Sequence, residues 1–306
     1  MSRARKLLVR GGVTLVVIAV LAPLLLAWRV SSGVLALPRS TDRPTDDPKS
    51  RLGFDYQELA FTTSDGIALG GWLVPTPQPA RAAAVLVHGH GGSRHSELDL
   101  VPVLYAAGYC SVLYDTRGHG SSGSAGPGDG YRDGYLDIVA ATKLARERCK
   151  VDRVAVIGFS QGAMNAVIAA AAEQSISAVV VQSGGTNTYD VLRAAPTLAG
   201  LPNWMIALSA RLLLLQIGAP LEYVMDLDAG QATLIGRIAP RPVMIIHGTE
   251  DEGLPIGIAG KLYARAKAPK ALWIVRGAGH MGLRKVAGKE FDRRVIAFLD
   301  QQMLKR

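Results

Sequence analysis

The chain has 306 residues, of which 49% are hydrophobic and 19% charged, and a formal net charge of +9 at pH 7. This apolar content excludes intrinsic disorder, and the length suits one large α/β domain better than two domains. Six basic residues and no acid lie within residues 1–40, which leaves +3 for the remainder. The sequence has no run of Lys and Arg interleaved with aromatic residues, so we predict no nucleic-acid partner.

An apolar segment follows the basic N-terminus. Gly12–Trp28 carries no charge and comes after four basic residues between Arg3 and Arg10. This pattern predicts a membrane anchor or signal segment over residues 1–39, with the domain that follows it outside the cytoplasm. A single-pass anchor in the cell membrane is favoured over a secreted product cleaved near Val34–Ala36, and a buried core helix is the third interpretation. The polar, proline-bearing residues 40–52 predict a linker.

From residue 53 onward, apolar runs alternate with helical stretches. Phe54–Thr62 and Ile67–Val74 flank the turn Ser64-Asp65-Gly66 and predict a β-hairpin. The next six runs are short and almost continuously apolar, which is typical of parallel strands buried on both faces. They are Ala83–His88, Cys110–Tyr114, Val154–Gly158, Ala178–Gln182, Val243–His247 and Ala271–Val275. Helices are predicted at Leu98–Ala107, Tyr131–Arg148, Gln161–Glu173, Ile256–Ala266 and Phe291–Leu304.

An insertion interrupts this α/β alternation at residues 184–239. It contains Asn203–Gln216, whose apolar positions nearly surround the predicted helix. Such a helix must cover something apolar, which is either the domain core or a substrate cleft. Cys110 and Cys149 are the only cysteines, and we predict them near the same end of the sheet. Export would permit a disulfide between them, and two buried thiols are the alternative.

The strongest motif is Gly158-Phe159-Ser160-Gln161-Gly162, which follows a predicted strand and begins a predicted helix. This context predicts a nucleophile elbow, in which Ser160 lies on a strained turn. Glycines are needed at Gly158 and Gly162 because the strand and the helix approach closely there. A structural serine in a tight turn is the alternative, and the context favours the nucleophile.

A serine nucleophile needs a base and an acid that orients the base. His280 ends the glycine-rich loop 277–280 after the last predicted strand, and Asp251 follows the strand before that one. The carboxyl ends of parallel strands lie along one edge of a sheet, and Ser160 is predicted there too. We therefore predict a triad in the chain order serine, aspartate, histidine that accompanies this elbow. Glu250 and Glu252 are rival acids and are predicted to be solvated.

Two further motifs follow predicted strands. His88-Gly89-His90-Gly91-Gly92 predicts an oxyanion hole, in which the backbone N–H groups of His90 and Gln161 bind the tetrahedral intermediate. A metal site at His88 and His90 is the alternative, but no cluster of Cys, Asp or Glu lies nearby in the sequence. Asp115 and Arg117 are predicted to brace their loop and not to act in catalysis. No metal or cofactor is predicted, because a triad needs none.

With these residues assembled, the chain resembles the α/β-hydrolase superfamily over roughly residues 53–304. Within it, the chain looks most like esterase, lipase-like and dienelactone-hydrolase-like proteins, including the membrane-anchored Bem46-like group. The resemblance implies an eight-stranded, mostly parallel sheet with helices on both faces and a helical cap insertion after strand 6. The matching stretches are DGIALGGW at 65–72, HGHGG at 88–92, DTRGHGSS at 115–122, GFSQG at 158–162, PRPVMIIHGTED at 240–251 and GAGH at 277–280.

The expected activity is hydrolysis of carboxylic esters through an acyl-enzyme, on a small-molecule, hydrophobic or lipid-like substrate. A peptidase of the same fold is the first alternative. It would need an anchor for a peptide terminus, and Glu222, Asp226 and Asp228 are the only acidic cluster in the insertion. A catalytically silent surface binding protein is the second alternative, but no predicted triad residue is missing.

Overall fold

A computed structural model describes residues 21–33, 35, 46–185, 187–227 and 231–304. Its centre is an eight-stranded sheet with the order β1-β2-β4-β3-β5-β6-β7-β8. The first two strands form the predicted hairpin, β2 pairs antiparallel with β4, and all other neighbours are parallel. The strands are β1 Gln57–Thr62, β2 Ala68–Val74, β3 Ala82–Val87, β4 Tyr109–Tyr114, β5 Val154–Phe159, β6 Ile176–Gln182, β7 Val243–Gly248 and β8 Lys270–Val275.

Helices cover both faces of the sheet, as predicted. The α-helices are α1 Pro48–Leu52, α2 Val101–Ala106, α3 Asp129–Arg132, α4 Gly134–Cys149, α5 Gln161–Ala172, α6 Thr188–Ala194, α7 Asn203–Gln216, α8 Leu221–Met225, α9 Gln231–Leu234, α10 Gly257–Arg265, α11 Leu283–Ala287 and α12 Lys289–Met303. Three 3₁₀ turns lie at Arg94–Leu100, Pro196–Leu198 and Ile235–Arg237.

The alternation of side chains along the buried strands divides the core into two layers. In β3, Val85 points into the layer that α4, α5 and α10 cover, and its neighbour Leu86 points into the layer under α2 and α12. Every residue of β3 and β4 is buried. This explains why these runs are continuously apolar in the sequence.

Two predicted helices differ from the observed ones. The stretch predicted as Leu98–Ala107 begins as a 3₁₀ turn and becomes α-helical at Val101. The stretch predicted as Tyr131–Arg148 is two helices, α3 and α4, separated by Asp133. Apolar periodicity does not reveal these breaks, because each affects only a turn or two and the pattern is read over a longer window.

Part of the predicted linker is helical. The Asp47 side chain accepts a hydrogen bond from the Ser50 backbone N–H at 2.7 Å, and Pro48 occupies the first turn, so α1 is capped by residues that we interpreted as linker composition. Leu52 at its end packs against the core. Residues 40–45 of the predicted linker lie outside the described residues.

The predicted insertion is a helical cap between β6 and β7, and it includes α6, α7 and α8. The helix predicted at Asn203–Gln216 is confirmed with the same bounds. Its inner face contributes to two small apolar clusters, one around Ile206 and Ala210 and the other around Leu213 and Leu214. An ion pair between Asp190 of α6 and Lys261 of α10, 2.7 Å long, connects the cap to the main domain.

Residues 21–33 form a helix, which we call the N-terminal helix. Its residues 21–28 are the last part of the predicted apolar segment, and residues 12–20 of that segment lie outside the described residues. Ala27 and Ser31 are buried, and Val30 packs into the cap cluster of Ile206 and Ala210. Within the described ranges, no helix is long and apolar enough to cross a membrane.

Cys110 and Cys149 form a disulfide, which resolves the two alternatives left open by the sequence. The bond connects the amino-terminal end of β4 to the last residue of α4, with 6.1 Å between the two Cα atoms. It closes a chain separation of 39 residues. This end of the sheet is opposite to the one at which the candidate site lies.

Candidate active site

Ser160 lies at the turn between β5 and α5, at the carboxyl edge of the sheet. Its backbone is strained, with φ 51° and ψ −116°, which a non-glycine residue rarely adopts. A Cβ added at Gly158 would lie 2.5 Å from the Gly162 carbonyl oxygen, and one at Gly162 would lie 2.4 Å from the Val87 carbonyl oxygen. Both flanking glycines are therefore sterically required, for the reason that the motif predicts.

The structure brings together the three side chains of the predicted triad. His280 Nε2 lies 3.0 Å from Ser160 Oγ, and His280 Nδ1 lies 2.8 Å from Asp251 Oδ2. The Asp251 carboxylate is buried, whereas the His280 side chain is 29% exposed. A base that is both hydrogen-bonded and open to solvent can pass a proton between Ser160 and an incoming substrate or water.

Asp251 is held as a carboxylate. Burial raises the pKa of Asp251, but hydrogen bonds from His280 and from the Leu254 backbone N–H, at 2.8 Å, more than offset this, so the pKa lies below its ordinary value. His247 of β7 also approaches it, with 3.6 Å between Nε2 and Oδ2. A buried anion at this position orients the imidazole and stabilises the imidazolium form. Glu250 and Glu252 are both exposed, as predicted.

The loop after β3 runs directly against Ser160. A Cβ at Gly89 would lie 3.1 Å from the Ser160 Cβ, so a larger residue would press against the elbow. His90 follows Gly89 in this loop, and Gln161 is the first residue of α5. Backbone N–H groups at the start of a helix and in an adjacent glycine-rich loop are the arrangement expected of an oxyanion hole.

His88 is committed to the backbone. Its Nδ1 lies 2.7 Å from the Gly89 carbonyl oxygen and must donate, while its Nε2 accepts from the Thr116 N–H at 3.0 Å. Burial lowers the pKa of His88 to about 4, so the ring is neutral at physiological pH. With both nitrogens occupied, His88 cannot be a metal ligand, and the alternative metal interpretation fails for it.

Two residues that support this loop were missed by sequence reasoning. The Gly91 N–H donates to His119 Nε2 at 3.2 Å, and the His90 ring stacks on Tyr131 with 5.7 Å between ring centroids. His119 lies in the 115–122 stretch, which was noted only for Asp115 and Arg117. The single histidine of this stretch, flanked by Gly118 and Gly120, was the available signal.

Arg117 is the loop brace that was predicted. Its side chain is fully buried and donates to Asp137 of α4 at 2.8 Å and to Asp65 of the hairpin turn at 2.7 Å. The hydrogen bond from Arg117 lowers the pKa of Asp65 to about 2. The guanidinium therefore connects the hairpin, the loop after β4 and helix α4, and it is not directed at Ser160. Asp115 is also buried and accepts hydrogen bonds from the Arg94 and Ser121 backbone N–H groups.

Two cavities involve residues close in sequence to the elbow, and neither is lined by Ser160, Asp251 or His280. The larger one, about 960 Å³, lies between the cap and the outer face of α5, and is bounded by Met164 and Ile168 on one side and Leu213 and Leu214 on the other. Tyr131, which stacks on His90, also lines it. The smaller one, about 430 Å³, lies beside Phe159 and Met281, the sequence neighbours of Ser160 and His280. Glu97 also lines this cavity. Burial raises the pKa of the Glu97 carboxyl to about 7.

Comparisons with known proteins agree with this architecture. Residues 84–217 match the family described as alpha/beta hydrolase fold. The esterase Pf2001 of Pyrococcus furiosus superposes with a TM-score of 0.69 at 24% identity, over 87% of this chain and 97% of that one. Est1E of Butyrivibrio proteoclasticus, solved with ferulic acid, superposes with a TM-score of 0.61 at 18% identity, over 81% of this chain and 100% of that one. The chain has the α/β-hydrolase fold.

Among similar sequences, protein Rv2307c of Mycobacterium tuberculosis is 28% identical over 98% of this chain and 97% of its own length. YfhR of Escherichia coli K12 is 29% identical over 74% of this chain and 73% of its own length. The alpha/beta hydrolase domain-containing protein WAV2 of Arabidopsis thaliana is 26% identical over 82% of this chain and 81% of its own length. Of these three names, that of WAV2 carries the same alpha/beta hydrolase description as the matched family model.

Proposed function

We propose that this protein is a serine hydrolase that cleaves carboxylic esters with a hydrophobic acyl group through an acyl-enzyme. The observation that carries the proposal is the continuous chain of contacts from Ser160 Oγ to His280 Nε2, at 3.0 Å, and from His280 Nδ1 to Asp251 Oδ2, at 2.8 Å. Because the carboxylate accepts at Nδ1–H, the Nε2 atom is left as the base that faces the serine.

In the first half-reaction, Ser160 Oγ attacks the ester carbonyl while its proton moves to His280 Nε2. The oxyanion accepts hydrogen bonds from the backbone N–H groups of His90 and Gln161, and each such donor contributes about 3–4 kcal/mol to transition-state stabilisation. The ester C–O bond then breaks, and the imidazolium gives its proton to the departing alcohol. The acyl group is left on Ser160 as an ester.

In the second half-reaction, water attacks the acyl-enzyme, and His280 takes its proton. The tetrahedral intermediate collapses, the proton goes to Ser160 Oγ, and the carboxylic acid leaves. The exposure of His280 supports this step, since water can reach the imidazole from the solvent side. Neither half-reaction calls for a metal or cofactor.

The large cavity supports an apolar acyl group. It has the upper size expected of small-molecule sites, and Met164, one turn after Ser160 on α5, connects it to the elbow. The peptidase alternative has less support, because neither Glu222 nor Asp226 lines this cavity, and Asp228 lies outside the described residues. The exposed carboxylates of the cap therefore provide no obvious anchor for a peptide amine.

The cellular location is also a proposal. We infer a single-pass anchor in the cell membrane and an extracytoplasmic domain, as in the Bem46-like proteins that the sequence resembles, with a secreted form as the alternative. The Cys110–Cys149 disulfide supports export, because such bonds persist mainly in oxidising compartments. Protease added to intact cells should digest the domain, and a protected domain would contradict this topology.

The test of activity is hydrolysis of p-nitrophenyl esters of graded acyl length by the full chain in detergent. Ser160→Ala should lower kcat by a factor on the order of 10⁴, and Ser124→Ala, a change of an exposed serine, should not. Faster turnover of aminoacyl amides than of esters would favour the peptidase. Equal inertness of the wild type and Ser160→Ala on every substrate would overturn catalysis itself.

A further inference from the structure

The exposed apolar side chains of this protein are concentrated in one region. Twelve large hydrophobic side chains are exposed among the described residues, and nine of them belong to the N-terminal helix or the cap. Large exposed apolar regions on soluble domains mark contact surfaces. The nine are Leu21, Leu24, Leu25, Leu26 and Trp28 on the N-terminal helix, and Trp204, Leu215, Leu221 and Met225 on the cap.

The two segments that carry these side chains pack against each other. Val30 lies in the cap cluster that contains Ile206, and Leu35 lies in the cluster that contains Leu213 and Ile217. The N-terminal helix therefore uses one face to hold the cap and leaves its leucine-rich face uncovered. We refer to the nine exposed side chains together as the apolar surface.

Helix α7 shows that the exposure is a feature of one face. Trp204 and Leu215 are eleven residues apart, which is about three helical turns, so they lie on the same side of α7. Ile206, Ala210 and Leu213 are buried on its other side. The outer face of α7 therefore carries two exposed apolar side chains with the half-buried Arg211 between them, whereas its inner face is packed within the described structure.

The sequence indicates what covers the outer face. The N-terminal helix is the continuation of Gly12–Trp28, an uncharged segment that is preceded by basic residues and no acid. Trp28 is followed at once by Arg29, and tryptophan and arginine are enriched where apolar segments meet the lipid headgroups. The cap therefore packs beside a segment whose composition is typical of membrane-binding segments.

We propose that the apolar surface rests on a lipid bilayer, so that the cap is a second membrane contact in addition to the N-terminal segment. The same two segments bound the large cavity, to which Arg29, Val30 and Gly33 contribute one wall. A docked cap would therefore bring the cavity to the lipid surface. Only this last consequence, lipid-side entry of a substrate, depends on the proposed esterase function.

The docking is testable with single fluorescent labels, because both native cysteines are joined in the disulfide. Leu215→Cys and Leu221→Cys place a label on the apolar surface, and Gln301→Cys places one on exposed α12, on the opposite face of the sheet. The full-length chain carrying a bimane label is reconstituted in phosphatidylcholine–phosphatidylglycerol vesicles that contain nitroxide-labelled phosphatidylcholine. Quenching reports contact between label and lipid and requires no enzymatic activity.

We expect the labels at 215 and 221 to lose most of their fluorescence and the label at 301 to be unaffected. Adding Trp204→Asp to Leu221→Cys should reduce quenching at 221 several-fold, whereas a matched aspartate at Gln302 should not. Equal, weak quenching at all three positions would overturn the proposal. So would disulfide cross-linking between two Leu215→Cys chains without quenching, which would assign the surface to a second copy of the protein.

Discussion

The corner of the sheet around Ser160 and the helical cap are stabilised in different ways. The corner depends on close backbone approaches at Gly158, Gly162 and Gly89 and on the buried guanidinium of Arg117. The cap depends on two small apolar clusters and on a partly exposed ion pair to Lys261. The corner therefore holds its side chains at defined hydrogen-bond distances. The cap encloses a cavity that apolar groups of different shapes could fill.

The largest expected effect lies in the corner around Ser160, and it follows from the proposed mechanism. Asp251→Asn should lower kcat by a factor on the order of 10⁴, because an amide cannot hold the imidazole in the required tautomer. Glu252→Gln, a change of the exposed neighbour, should leave kcat unchanged. Steady-state ester hydrolysis measures both, and a comparable loss in the two variants would remove Asp251 from the triad.

At the opposite end of the sheet, replacing both cysteines should affect stability and leave catalysis intact. Cys110→Ala with Cys149→Ala should cost about 3–4 kcal/mol of unfolding free energy, because the closed loop of 39 residues gains entropy in the unfolded chain. Urea denaturation gives the loss. The kcat of the folded variant should equal that of the wild type, and a lower kcat would show that this bond supports the site.

Glycine substitutions compare the two regions directly. Gly162→Ala should destabilise the protein by about 3 kcal/mol, because its Cβ would lie 2.4 Å from the Val87 carbonyl oxygen in a rigid corner. Gly200→Ala in the cap meets no atom within 4 Å and carries only the strain of φ +90°, about 1 kcal/mol. Thermal unfolding of both variants measures this, and similar losses would contradict the difference in rigidity.

A change in the cap cavity should alter selectivity more than rate. Ile168→Trp fills part of the space under α7. We expect kcat/KM for long-chain esters to fall roughly tenfold and that for acetate esters to be unchanged, since pocket contacts of this size are worth about 1–3 kcal/mol. Ile168→Leu keeps the volume and serves as the control. An equal fall for all chain lengths would show that the acyl group lies elsewhere.

The smallest effect concerns acid stability. Arg117 holds the pKa of Asp65 at about 2, below the ordinary value of 3.8, so the pair contributes stability above pH 4 that is lost as the pH falls toward 2. Because the Asp65 side chain is 32% exposed, the loss is on the order of 1 kcal/mol. Asp65→Asn should remove this part of the pH dependence in urea unfolding, and Asp55→Asn, an exposed control, should keep it.

The same contrast explains what could be predicted from the sequence. The elbow and the loops of His280 and Asp251 follow continuously apolar strands, so local patterns placed them at one edge of the sheet. Residues that act through space were harder to find. Tyr131 contacts His90 across 41 residues of sequence, and no local pattern indicates that stacking. The break at Asp133 and the capped helix after Asp47 were missed because both are too short for periodicity.

Proteolytic cleavage after the N-terminal helix would change the shape of the large cavity. The helix residues Arg29, Val30 and Gly33 form part of the cavity wall, and they precede the small-residue stretch Val34–Ala36 at which a signal peptidase could cut. Cleavage there would remove this part of the wall together with the N-terminal helix. A released form would therefore have a more open cavity than the uncleaved chain, so the two forms would differ in the space that they offer a ligand.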